Sequence, residues 1–121
     1  MRKEVANKYI DMAAGEARAR YISTGSGQDA VYLLKAHQAR EFKAAGYEGT
    51  VPMLIQAEMF VSGMNAQQAT DYILATEAQW VYLASEIEKI RRAAKIHVNS
   101  LTEFDEITTY TNTIIDTLNS I

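Results

Sequence analysis

The residues able to do chemistry in this 121-residue chain fall into four sets. His37 and His97 are types that ligate metals or move protons, but they lie far apart and no carboxylate-rich metal spacing surrounds either. The acids Glu86, Glu88, Asp105 and Glu106 could serve as a general acid and base. That work needs one carboxyl set in an apolar pocket, and no pattern here places one there. Gly25-Ser26-Gly27 precedes a helical segment and could cradle a phosphate. The Lys-Ser/Thr pair of a nucleotide-binding loop is absent, so the segment reads as a linker. Lys89, Arg91, Arg92 and Lys95 form a basic stretch that could meet phosphates or an acidic partner. Glu86 and Glu88 stand one turn before it, and Glu88 is spaced to pair with Arg92 at i,i+4. Without cysteine there is neither a disulfide nor a thiolate metal site. No catalytic residue, cofactor site, metal site or small-molecule substrate is expected, and the chain does not read as an enzyme.

The elements that would hold these residues are helices. The clearest is one long apolar ladder, Ile73, Thr76, Trp80, Leu83, Ile87, Ile90, Ala94 and His97, in alternating steps of three and four. That spacing is the seam of a helix packed along other helices. Its core members are Ile73, Trp80, Leu83, Ile87 and Ile90. Asn65 is a good N-cap, Gln68 completes a capping box, and the helix is expected to run about 34 residues, to Asn99. A first helix over 3–22 presents Val5, Tyr9, Met12, Ala13, Ala17 and Tyr21. A second over 28–45 presents Val31, Leu33, Leu34 and Phe42 and stops at Gly46. A short helix at 52–61 opens with Pro52, is almost wholly apolar, and should be buried across the bundle before Gly63 ends it.

The last segment carries Phe104, Ile107, Thr111, Ile114, Leu118 and Ile121 at helical spacing. Its β-branched run from Thr108 to Ile115 weakens helix propensity, so a strand added to a partner's sheet is the alternative. The expected organisation is an all-α helical bundle of four or five helices over 1–101, with 102–121 as a C-terminal docking segment.

Composition narrows the function classes. Only one proline and six glycines interrupt the chain, and 48% of residues are apolar, which suits one globular, mostly helical protein. Residues 1–50 carry eight Lys/Arg against six Asp/Glu, while residues 51–121 carry four against nine. This imbalance can orient subunits. It is too weak for nucleic acid, which calls for a strongly basic face. Met1 to Ile10 has no apolar leader core, and no apolar run approaches a membrane span. Tyr72 and Tyr82 lie off the ladder and are candidates for a contact surface, as amphipathic aromatics often are.

An ordered set of motifs resembles a small helical module of tail-region proteins in tailed bacteriophages. Ala17-Arg18-Ala19-Arg20-Tyr21-Ile22 leads into Gly25-Ser26-Gly27-Gln28, then Tyr32 and Lys35. Pro52, Leu54, Ala57 and Glu58 follow, then a glycine turn at Gly63. The long helix supplies Trp80, Ile87-Glu88, Arg91 and Ala93-Ala94-Lys95. These positions span about 17–95 of the chain. The resemblance implies a non-enzymatic structural part of a phage tail, near the baseplate or the tail-fibre attachment. It would be made in the host cytoplasm and end in the virion. Two other roles fit the same helices: a tail-fibre assembly chaperone absent from the particle, and a small DNA-binding or regulatory protein. Expected partners are other tail proteins and further copies of the chain in a homo-oligomer, with no nucleic acid and no membrane. Expected contact residues are Ile114, Leu118 and Ile121, then Tyr72 and Tyr82, and a basic patch of Arg91, Arg92 and Lys95.

Overall fold

The computed structural model of the protein describes residues 1–21 and 28–121. It is all-α, with five helices: α1 (Lys3–Ala19), α2 (Gln28–Ala44), α3 (Met53–Ser62), α4 (Ala66–Ser100) and α5 (Phe104–Asn119). No strand occurs among the described residues, and the segment from Thr108 to Ile115 is helical. Tertiary packing of its apolar face outweighs the low propensity of its β-branched run. The Gly25-Ser26-Gly27 linker and Ile22 lie outside the described residues. α1 ends at Ala19, earlier than its sequence pattern suggests.

The helix ends follow local chemistry. At the start of α4, Gln68 N–H donates to Asn65 Oδ1 at 2.8 Å, and Asn65 N–H donates to Gln68 Oε1 at 3.1 Å, a reciprocal capping box. α2 closes in a Schellman motif: Tyr47 N–H donates to the Phe42 carbonyl and Gly46 N–H to the Lys43 carbonyl. Gly46 sits at φ 71, where a side chain would be strained. Tyr47 follows at φ 60, also left-handed. Its ring lies edge-on to Phe42 at 6.0 Å, and its hydroxyl donates to Asp71 Oδ1 at 2.6 Å. That bond holds the tyrosine proton more tightly than usual, so its pKa is raised. Gly63 ends α3 in the left-handed region, its N–H on the Met59 carbonyl.

The chain forms two compact units: residues 1–22 with 82–121, and residues 23–81. This differs from a division at 101/102, because α5 returns to α1. In the first unit, α1, α5 and the later turns of α4 enclose two clusters. One holds Ala6, Ile10, Ala94, Val98 and Ile107; the other holds Ala13, Ala14, Ala17, Ile87 and Leu118. Arg20 donates from Nη2 to the Leu118 carbonyl at 2.6 Å, and Lys3 donates to the Asn99 carbonyl at 2.8 Å.

The buried face of α1 is therefore Ala6, Ile10, Ala13, Ala14 and Ala17, while Val5, Tyr9, Met12 and Tyr21 are exposed. Two apolar ladders run side by side on this helix. The alanine-rich one is buried because small side chains let helices approach closely and pack without voids.

In the second unit, α2, α3 and the first turns of α4 meet at Ala39, Ile55, Ala69 and Ile73, with Val51, Met59, Met64 and Leu74 at the margin. α2 buries Ala36, Ala39 and Phe42 and leaves Val31, Leu33 and Leu34 exposed, so only Phe42 of its expected face is in the core.

Candidate interaction surface

α3 departs furthest from its sequence expectation. Of its ten residues only Ile55 is fully buried. Met53 and Val61 are each 80% exposed and Phe60 is 92% exposed. With the exposed Ala57 they occupy i, i+4, i+7 and i+8, so they share one helix face. The physical reason is that α3 is apolar all round while its unit covers one side of it. Small residues, Ala39 and Ala69, receive Ile55, and among the described residues the opposite side is left exposed.

The only charged residue of α3, Glu58, does not lie on that outward face. Its carboxylate accepts from Lys35 Nζ at 3.3 Å and is largely covered. Lys35 and Glu58 line a cleft of about 200 Å³ with Tyr32, Tyr72, Ile73 and Thr76. Tyr32 leans on Trp80 with ring centroids 5.7 Å apart. Burial, reinforced by the Glu77 charge, raises the Tyr32 pKa. Arg40 holds Glu77 through both carboxylate oxygens on the same helix pair. The cleft is furnished with a satisfied ion pair and aromatic walls. It has no nucleophile–base pair, and no group of three His, Cys, Asp or Glu side chains that could hold a metal ion occurs among the described residues.

The expected core seam divides between the two units. Ile73 is buried in one and Ile87 in the other, while Trp80, Leu83 and Ile90 are half-buried. Of the expected contact residues, Tyr72 is 50% exposed beside the cleft and Tyr82 is 65% exposed. Leu118 is fully buried against Ala13, Ala14, Ala17 and Ile87, which corrects its reading as a partner contact. Ile114, Ile115 and Ile121 pack at the edge of the same cluster. Ile107, Thr111 and Leu118 of the tail ladder are buried within the chain, Ile107 and Leu118 against α1 and α4, while Phe104 at its start is 64% exposed.

The basic stretch is mostly engaged as well. Arg91 Nη1 donates to Asp11 Oδ1 at 2.9 Å and Lys95 Nζ to Asp11 Oδ2 at 3.0 Å, tying α4 to α1. Arg91 also grips Glu88 at 2.8 Å, so Glu88 pairs at i,i+3 with Arg91 rather than at i,i+4 with Arg92. Arg92 is exposed. Burial alone would raise the Asp11 carboxyl, but hydrogen bonds from Lys95 and Arg91, and their charges, hold it below its ordinary value. The Arg91 guanidinium is held protonated even more firmly than usual by Glu88 and then Asp11.

In the first unit His97 lies against Tyr110, 4.3 Å between centroids, in an open groove of about 560 Å³. Leu101, Asp105, Glu106, Thr109 and Thr113 complete its lining. This gathers His97 with two of the acids, and burial raises the Tyr110 pKa there.

No helix is long and apolar enough to cross a membrane among the described residues. No protein-family model, no curated protein and no solved structure matches the chain.

The sequence reading missed Met53, Phe60 and Val61 as outward residues. A signal was present. A ten-residue helix with one charge cannot be covered on every side in a unit of this size.

Proposed function

We propose that the chain is a non-enzymatic structural component of a bacteriophage tail, in the baseplate or tail-fibre attachment region, and that it works through helix-face contacts. The observation that carries the contact role is the outward apolar face of α3, Met53, Ala57, Phe60 and Val61. Large, contiguous apolar exposure on a helix marks an association surface. The phage assignment rests on the ordered motif set of the sequence alone.

An assembly chaperone uses the same exposed face and is the alternative reading. A DNA-binding role is disfavoured, since Arg91 and Lys95 are already spent on Asp11. The test is a mass-spectrometric inventory of purified particles and of the infected cells that make them. A structural component appears in the particle at fixed ratio to tail proteins. Presence in the cells with absence from particles replaces this reading with the chaperone. Absence from both removes the phage assignment.

A further inference from the structure

The cleft bounded by α2, α3 and α4 holds chemistry that the contact role does not use. Tyr32 and Lys35 come from α2, Glu58 from α3, and Tyr72, Ile73 and Thr76 from α4. Its volume of about 200 Å³ has room for one small ring system, since a cavity of about 150 Å³ takes up benzene.

The Lys35–Glu58 pair is balanced in charge but leaves hydrogen-bonding capacity unused. Its N···O distance of 3.3 Å is longer than the roughly 2.7–2.9 Å of a tight charge-assisted bond. Lys35 Nζ has three N–H donors and gives one of them to Glu58 Oε2. Glu58 Oε1 accepts no hydrogen bond among the described residues, although the side chain is only 16% exposed. A carboxylate so far removed from water gains from a further donor. The cleft therefore offers a spare donor beside a spare acceptor, next to two tyrosine rings and the aliphatic Ile73. A charged occupant would upset a pair that is already neutral as a whole. Glu77, the acid whose charge reaches Tyr32, is itself held by Arg40.

An amide edge meets both needs at once, because its C=O and N–H lie on adjacent atoms of one plane. We propose that this cleft binds a small, flat, uncharged molecule with an amide edge, such as an aromatic carboxamide. Its C=O accepts from Lys35 Nζ, its N–H donates to Glu58 Oε1, and its ring lies against Tyr32, Tyr72 and Ile73. The molecule is held as a ligand and is not turned over, because the cleft has no nucleophile–base pair. The site goes beyond the assembly reading and does not depend on it.

Benzamide is the probe, with benzoate, benzamidine and acetophenone as comparators of the same size. Benzoate is anionic, benzamidine is cationic, and acetophenone has the carbonyl without the N–H. Each is titrated into the isotope-labelled parent chain and followed by NMR. Benzamide is expected to give saturable shifts centred on Lys35, Glu58, Tyr72 and Thr76, with a millimolar or tighter Kd. Each comparator is expected to bind about tenfold more weakly, since its edge loses a hydrogen bond to a charged group. Glu58→Met is expected to keep the helical circular dichroism and to weaken benzamide about tenfold, while acetophenone, which uses Lys35 alone, changes little. The comparators are read on the parent chain, so the test stands even if this variant unfolds. A comparator that binds as tightly as benzamide, shifts that cluster elsewhere, or no saturable shift at all overturns the proposal.

Discussion

Asp11 is the residue on which two cations of the basic stretch, Arg91 and Lys95, converge. It takes Arg91 and Lys95 at 2.9 and 3.0 Å, and Arg91 at the same time holds Glu88. The cluster accounts for the fate of the basic stretch, which reads from sequence as a solvent-facing or phosphate-facing patch and is instead a clasp between α1 and α4. The charges of Arg91 and Lys95 were legible, but their partner, some eighty positions away, was not. Because the Asp11 carboxyl is depressed in the folded chain, its contribution is present above the ordinary carboxylate value of about 3.9. It is lost as pH falls through the lower folded value. Its side chain is 45% exposed, so solvent screening keeps the contribution small. Asp11→Asn is expected to lower the urea midpoint at about pH 7, by a difference that shrinks as pH falls below the ordinary carboxylate range and the parent carboxyl takes up its proton. Denaturation curves over that range check this, and parallel curves for the two proteins would deny the clasp any role in stability.

At the level of elements, the ends of helices were more legible than their faces. The capping box of Asn65 and Gln68, the glycine stops at Gly46 and Gly63 and the proline entry at Pro52 all depend on neighbours a few residues away. Asn65→Ala removes the acceptor for Gln68 N–H and is expected to cost about 1 kcal/mol. Chemical denaturation followed by Trp80 fluorescence reads that cost in the unit that holds both residues. An unchanged midpoint would mean that water replaces the cap without loss. Faces depend on what lies opposite, and there the sequence was misleading. In α1 the ladder of large residues and the ladder of alanines have equivalent spacing, and the alanines are buried. In α3 hydrophobicity suggested full burial, whereas one side is left bare. In α5 the helical period was read correctly despite Thr108, Thr109 and Thr113. The outward apolar surface was thus within reach of the sequence only as a conflict: too many apolar residues for the core available to cover them.

The whole molecule divides by contact rather than by chain order, and α5 is the element that decides where. A ladder at the end of a chain reads equally well as a docking tail or as a core helix, because spacing does not say what it faces. Here Ile107 and Leu118 are fully buried, one in each cluster of the first unit, while no residue of α5 enters the cluster of Ala39, Ile55, Ala69 and Ile73. Deleting residues 102–121 therefore strips Ile10, Ile87 and Val98 of packing partners and leaves the alanine stripe of α1 facing water. Exposing several side chains, each worth about 1.5–3 kcal/mol, exceeds what a small unit holds in reserve. The truncated chain is expected to lose more helical circular dichroism than the 16 residues of α5 account for, as α1 melts with it. Trp80 is the only tryptophan and sits with Tyr32 in the other unit, so its fluorescence reports that unit separately. It is expected to keep its native emission under the same conditions. Retention of the α1 signal after the deletion would return residues 102–121 to the role of a detachable docking segment. Joint loss of the α1 signal and the Trp80 emission would mean that the two compact units fold as one.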